Sequence, residues 1–90
     1  MEKKLTFAIV SFHKIYIKGL GRLLKTFGHT VPLECSNGNE LIELLATHDL
    51  PHMAIIDFEN TWRDELITIA YLKQHYPSIK IIIIYTEYNV

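Results

Sequence analysis

Cysteine occurs once in this chain, at Cys35, so no disulfide can close within it. A single thiol excludes a disulfide-stapled secreted scaffold and fits a reducing compartment. Neither sign of charge dominates: nine Lys and Arg against ten Asp and Glu leave a net charge of -1. That balance argues against a general binder of nucleic acid or anionic membrane, since both rely on a basic excess. Long apolar runs are also lacking. The longest, Ile81 to Tyr85, falls far short of the ~20 residues that span a bilayer. Met1-Glu2-Lys3-Lys4 leads into no signal-peptide core. The expectation is a soluble cytoplasmic protein.

What remains is 90 residues, 49% apolar and 21% charged, too apolar for a disordered chain. A chain of this length buries only about 60–65% of its unfolded surface, enough for one modest core in one domain. No repeat, linker or low-complexity stretch interrupts it. Leu5 to Val10 is a short apolar run of strand length. From Lys14 the period changes: Ile17, Leu20, Leu24 and Phe27 fall at helical spacing, with Lys14, Lys18, Arg22 and Lys25 on the other side. Gly28 suits the left-handed position just past that helix. Gly19 and Gly21 lie inside it, without the third glycine and strand-to-helix turn of a dinucleotide fingerprint.

Thr30 to Cys35 reads as a second strand, and Pro32 places it at a sheet edge, where a missing N–H does no harm. Asn37, three residues ahead of Glu40, caps a helix whose apolar face is Leu41, Ile42, Leu44 and Leu45. Met53 to Asp57 is a third strand with a carboxylate at its C-terminal end. Thr61-Trp62-Arg63-Asp64 has the capping-box pattern and opens a third helix, with Trp62, Leu66, Ile69 and Ala70 inward, until Pro77 ends it. Ile79 to Tyr85 is a fourth, mostly β-branched strand. The order β-α-β-α-β-α-β with short connections predicts an α/β fold: a parallel sheet with helices on both faces. Ligand chemistry in such sheets gathers beyond the C-terminal strand ends. Those ends carry Ser11-Phe12-His13, the loop after Cys35, Asp57-Phe58-Glu59-Asn60 and Thr86-Glu87.

Several features have plain structural readings. The basic stripe of the first helix is a solvated face. Pro51 separates His48 from His52, and no Cys or carboxylate cluster has zinc-ligand spacing. Ser11 and His13 are near neighbours, with no nucleophile-elbow setting for a catalytic triad. Phe58, Trp62, Tyr71 and Tyr76 read as packing residues rather than a base-stacking platform.

With Phe7-Ala8-Ile9-Val10, Lys18-Gly19-Leu20, Leu23-Leu24, Ser36-Asn37-Gly38, Ile55-Ile56-Asp57 and Ile82-Ile83-Ile84-Tyr85-Thr86 in these places, the chain resembles a response-regulator receiver domain over its whole length. The resemblance implies a flavodoxin-like sheet with four strands and three helices present, and a place in two-component signalling. It also implies that Asp57 is the phosphoacceptor and that Thr86 contacts the phosphoryl group. Two adjacent acids normally end the first strand of a receiver and help to hold Mg²⁺; here Ser11 and Phe12 stand there. The family's lysine follows a fifth strand, and this chain stops at Val90, so the expectation is a C-terminally truncated receiver.

Magnesium demands near-octahedral oxygen coordination, usually with one or two carboxylates. Asp57 beside Phe12 makes a poor site, Glu59 being the one auxiliary carboxylate at hand, so the expected cofactor is none, with weak Mg²⁺ binding at most. Without the metal and the lysine, charge on a transferring phosphoryl group is poorly neutralised. The expected function is therefore an atypical receiver acting by protein contact, with a histidine kinase or an output domain as partner, and without enzymatic activity. Two alternatives stand beside it: a phosphoacceptor receiver cut at residue 90, and a small-ligand binder on the same fold. A homodimer is expected, by pairing of the fourth strand, face packing or exchange of elements, because Ile81, Ile82, Ile83 and Ile84 carry neither proline nor charge to discourage edge pairing.

Overall fold

The computed structural model describes residues 3–58 and 62–85. Its elements follow the expected order: β1 (Thr6–Val10), α1 (Lys14–Thr26), β2 (Thr30–Cys35), α2 (Gly38–Leu45), β3 (Met53–Phe58), α3 (Trp62–His75) and β4 (Lys80–Tyr85). The strands form one parallel sheet in the order β2-β1-β3-β4. β1 and β3 are central, and β2 is the edge that Pro32 foretold. Between Thr6↔Thr30 and Ala8↔Leu33 the β1–β2 register slips by one residue. The slip brackets Pro32, which has no N–H to offer a ladder, and a bulge on an edge strand absorbs it.

Alternation along the strands sends side chains to two faces. Ala8, Val10, Leu33, Cys35, Ala54 and Ile56 pack under α2 and α3, against Leu41, Leu45 and Leu72, with Leu44, Ile69, Tyr76 and Ile81 completing that core. Phe7, Ile9 and Ile55 are buried on the other face, as are Ile17 and Gly21 of α1. The end of α1 is a Schellman turn: Gly28 N–H donates to Lys25 O at 3.0 Å, His29 N–H donates to Leu24 O at 3.0 Å, and Gly28 sits at φ 88°. Asn37 Oδ1 accepts the Glu40 N–H at 2.9 Å and caps α2 as expected.

Two helix faces depart from the periodicity reading. Phe27 is 62% exposed rather than inward, because the chain leaves the helical path at that residue. In α3 the inward residues are Glu65, Thr68 and Leu72, with Ile69 half-buried; Leu66 and Ala70 face out. The cause lies at the start of α2. A Cβ on Gly38 would stand 2.8 Å from Thr68 Cβ and 2.9 Å from its Cγ2, so α2 and α3 touch backbone to side chain there. That contact rotates α3 to present Thr68, whose hydroxyl donates to Asp64 O at 3.0 Å. The side chains of Phe58 and Trp62 lie outside the described residues. β4 is half-exposed on both faces: Ile81 joins the core, whereas Ile82, Ile83 and Tyr85 are exposed.

Candidate functional site

The C-terminal ends of β1 and β3 lie side by side, with Val10 opposite Ile56, so the next residues on each strand meet. Ser11 continues the β1–β2 ladder by one rung, its N–H donating to Cys35 O at 2.9 Å. Its side chain is buried and turned toward β3. Ser11 Oγ donates to Asp57 Oδ2 at 2.9 Å and accepts the His13 N–H at 3.1 Å. The hydroxyl is thus used twice, once to fix the carboxylate and once to shape the turn into α1.

Asp57 is half-buried and opens into a cleft of about 730 Å³ between the strand ends, the N-terminus of α2 and α3. Ser36, Asn37, Gly38, Asp64, Glu65 and Thr68 line its far walls, and Phe12, 79% exposed, lies at its rim. The negative charge of Asp57 reaches α1. Tyr16 is held above the usual phenol range, first by partial burial and then by Asp57.

Of the site residues expected from sequence, Ser11, Phe12 and Asp57 come together; Glu59 and Thr86 lie outside the described residues. Sequence reasoning treated Ser11 as a mere substitution for an acid and missed its bond to Asp57. It also missed Glu65 and Thr68, whose one signal was their i, i+3 spacing on α3, and it quoted Gly38 without seeing that Thr68 packs on it. Among the described residues no three His, Cys, Asp or Glu side chains converge to hold a metal ion. Ser11 and Phe12 bring a neutral hydroxyl and an aromatic ring to the Asp57 end of the cleft, whose carboxylates are Asp57, Asp64 and Glu65. The histidines weighed as ligands are occupied otherwise. His48 Nδ1 lies 2.9 Å from Leu44 O, and His52 Nδ1 accepts from Thr6 N–H.

No family model and no curated protein sequence matches the chain. Solved structures do. The isolated receiver domain of RcsB from Salmonella enterica serovar Typhimurium, with the phosphomimetic BeF3⁻, superposes with a TM-score of 0.82 at 26% identity, over 97% of this chain and 65% of that one. RcsB in a structure of two dimers bound to two parallel DNAs gives 0.81 at 26%, over 94% of this chain and 43% of that one. A response regulator receiver protein from Pseudomonas putida gives 0.81 at 14% identity, over 99% and 74%, and bears on the fold alone. The strand order and these likenesses give the chain the fold of response-regulator receiver domains, to which it is similar over nearly its whole length. It spans 43 to 65% of the RcsB chains it matches. No helix among the described residues is long and apolar enough to cross a membrane.

Proposed function

We propose that this receiver-type domain is a cytoplasmic signalling module that works by protein contact and is inefficient as a phosphoacceptor. One observation carries the reading: Ser11 takes the place of an acid, and its hydroxyl is spent on Asp57 Oδ2. Receivers use paired acids there to hold Mg²⁺, which offsets charge developing on the transferred phosphoryl oxygens. Ser11 and Phe12 bring no charge to that task. Asp57 keeps its cleft-facing place, with Thr86 as the hydroxyl assigned to a phosphoryl group, so the phosphoacceptor reading stays as the rival. Incubation with Mg²⁺ and a small phosphodonor, followed by intact-mass measurement, separates the two.

Contact surface is plentiful. Ile15, Leu23 and Phe27 of α1 and its cap are 88%, 53% and 62% exposed, beside the basic residues Lys14, Lys18, Arg22 and Lys25. Apolar groups exposed on one helix offer a candidate protein-binding surface. The partner class is a histidine kinase or an output domain.

β4 supplies a second surface. Ile81 to Ile84 form the free edge of the described sheet, with Ile82 and Ile83 exposed on opposite faces and Lys80 the one charge guarding it. A two-fold homodimer through this edge follows, in keeping with the dimers of RcsB on DNA. Light scattering across a concentration series tests it. A dimer that Ile82→Lys or Ile83→Lys breaks, with the fold retained, supports the reading; a monomer at high micromolar concentration rejects it.

A further inference from the structure

Each strand that flanks β1 is entered through a histidine: His29 directly precedes β2, and His52 directly precedes β3. Leu5 N–H donates to His29 Nδ1 at 3.1 Å, on the β2 side. Thr6 N–H donates to His52 Nδ1 at 2.9 Å, on the β3 side. Around these two bonds the main chain closes normally. Thr30 N–H donates to Leu5 O at 3.1 Å, and His52 N–H reaches Thr6 O at 3.0 Å and Thr6 Oγ1 at 3.1 Å. Thr6 Oγ1 also lies 3.0 Å from His52 Nδ1. Two side chains therefore supply the first rung of the ladder on both sides of a central strand.

A backbone N–H can only donate, so both Nδ1 atoms are acceptors. Each ring is then neutral and carries its proton on Nε2. A proton on Nδ1 turns the acceptor into a donor and sets N–H against N–H. We infer that His29 and His52 form a paired, proton-sensitive latch on the entry to β1, closed by two neutral imidazoles and opened from both sides when they charge. The His29 ring is further held against Phe7, centroids 5.5 Å apart, so its release also loosens the first buried side chain of β1. The far end of the strand, with Ser11 and Asp57, keeps its own bonds.

The charges on the segments that meet at this end do not favour a charged ring. Among the described residues they include Lys3 and Lys4 ahead of β1, Lys25 in the last turn of α1, His48 and Asp49 ahead of β3, Lys73 and His75 in the last turn of α3, and Lys80 opening β4, all exposed. Basic groups outnumber the carboxylate among them. Because the unfolded chain takes up both ring protons without losing a rung, the latch stabilises the fold while both rings are neutral, and that contribution is lost once acid protonates them.

Nuclear magnetic resonance on the whole chain tests the latch directly. Long-range proton–nitrogen correlations should show the Nε2–H tautomer for His29 and His52 at pH 7.5. Protection of the Leu5 and Thr6 amides against hydrogen exchange should fall at least about tenfold, roughly one net hydrogen bond, between pH 7.5 and 5.5, while that of Ile9 holds. In a His29→Asn, His52→Asn double variant the amide oxygen takes over from Nδ1 and does not titrate, so protection should stay level across the same pH range. Three results overturn the inference: an Nδ1–H tautomer in the wild type, wild-type protection that ignores pH, or a pH-dependent loss that persists unchanged in the double variant. The tautomer is read on the wild type alone, so the test stands even if the double variant does not fold.

Discussion

Ser11 Oγ holds Asp57 Oδ2 at 2.9 Å, joining the ends of β1 and β3 across 46 residues of sequence. The bond orients the carboxylate that gives the cleft its character, and it uses a buried hydroxyl that also accepts the His13 N–H. Ser11→Ala removes both bonds while leaving Asp57 half-open to water, so the expected loss is about 1–2 kcal/mol. Urea unfolding monitored by circular dichroism checks it. An unchanged midpoint would show that the pair contributes nothing measurable.

Restoring carboxylates should restore metal affinity. Replacing Ser11 and Phe12 together by Asp sets two new negative charges beside Asp57, which lowers stability in metal-free buffer through like-charge repulsion. Magnesium should recover that stability, with saturation in the low-millimolar range, whereas the wild type should show no saturable response. Thermal melts with and without Mg²⁺ report both effects.

Gly38 is the tightest contact between α2 and α3. A Cβ there would press on Thr68, so Gly38→Ala should cost about 1–3 kcal/mol through overpacking. Gly19 and Gly21 have no neighbouring atom within 4 Å of an added Cβ, and Gly19→Ala or Gly21→Ala should instead stabilise α1 by about 0.5–1 kcal/mol. Opposite signs for the two kinds of glycine in one denaturation series are the expected outcome.

The backbone signals in the sequence were strong where they had local causes. Asn37 with Glu40 marked the start of α2, Gly28 marked the end of α1, Pro32 marked an edge strand, and a lone carboxylate after Ile55-Ile56 marked a strand end that opens into the cleft. What stayed hidden depends on contacts between distant segments. Periodicity put Leu66 and Ala70 inward, because it weighs apolar residues and cannot see that Gly38 admits the polar Thr68 at a helix–helix contact. Ser11 looked like a loss of charge, and its bond to Asp57 required the register of β1 on β3. His29 and His52 gave no motif at all, since their ring nitrogens answer a need of the β1 main chain.

Cys35 should be chemically silent in the folded protein. Burial, then the charges of Glu40 and Glu34, push its thiol up to about 12, and only the thiolate reacts with disulfide reagents. Labelling at pH 8 should be slow in buffer and fast in denaturant. By linkage, the neutral buried thiol favours the fold below its unfolded value of about 8.5, and that advantage is lost as pH rises toward 12.

The most direct test of a contact-driven, poorly phosphorylated receiver is the intact mass of the chain after incubation with Mg²⁺ and a small phosphodonor. The hydroxyl and ring at Ser11 and Phe12 supply no charge to hold the metal or steady the transferring group. The mass should therefore stay that of the unmodified chain, in the wild type and in Asp57→Asn alike. Stoichiometric gain of one phosphoryl group by the wild type, absent from Asp57→Asn, would contradict the account.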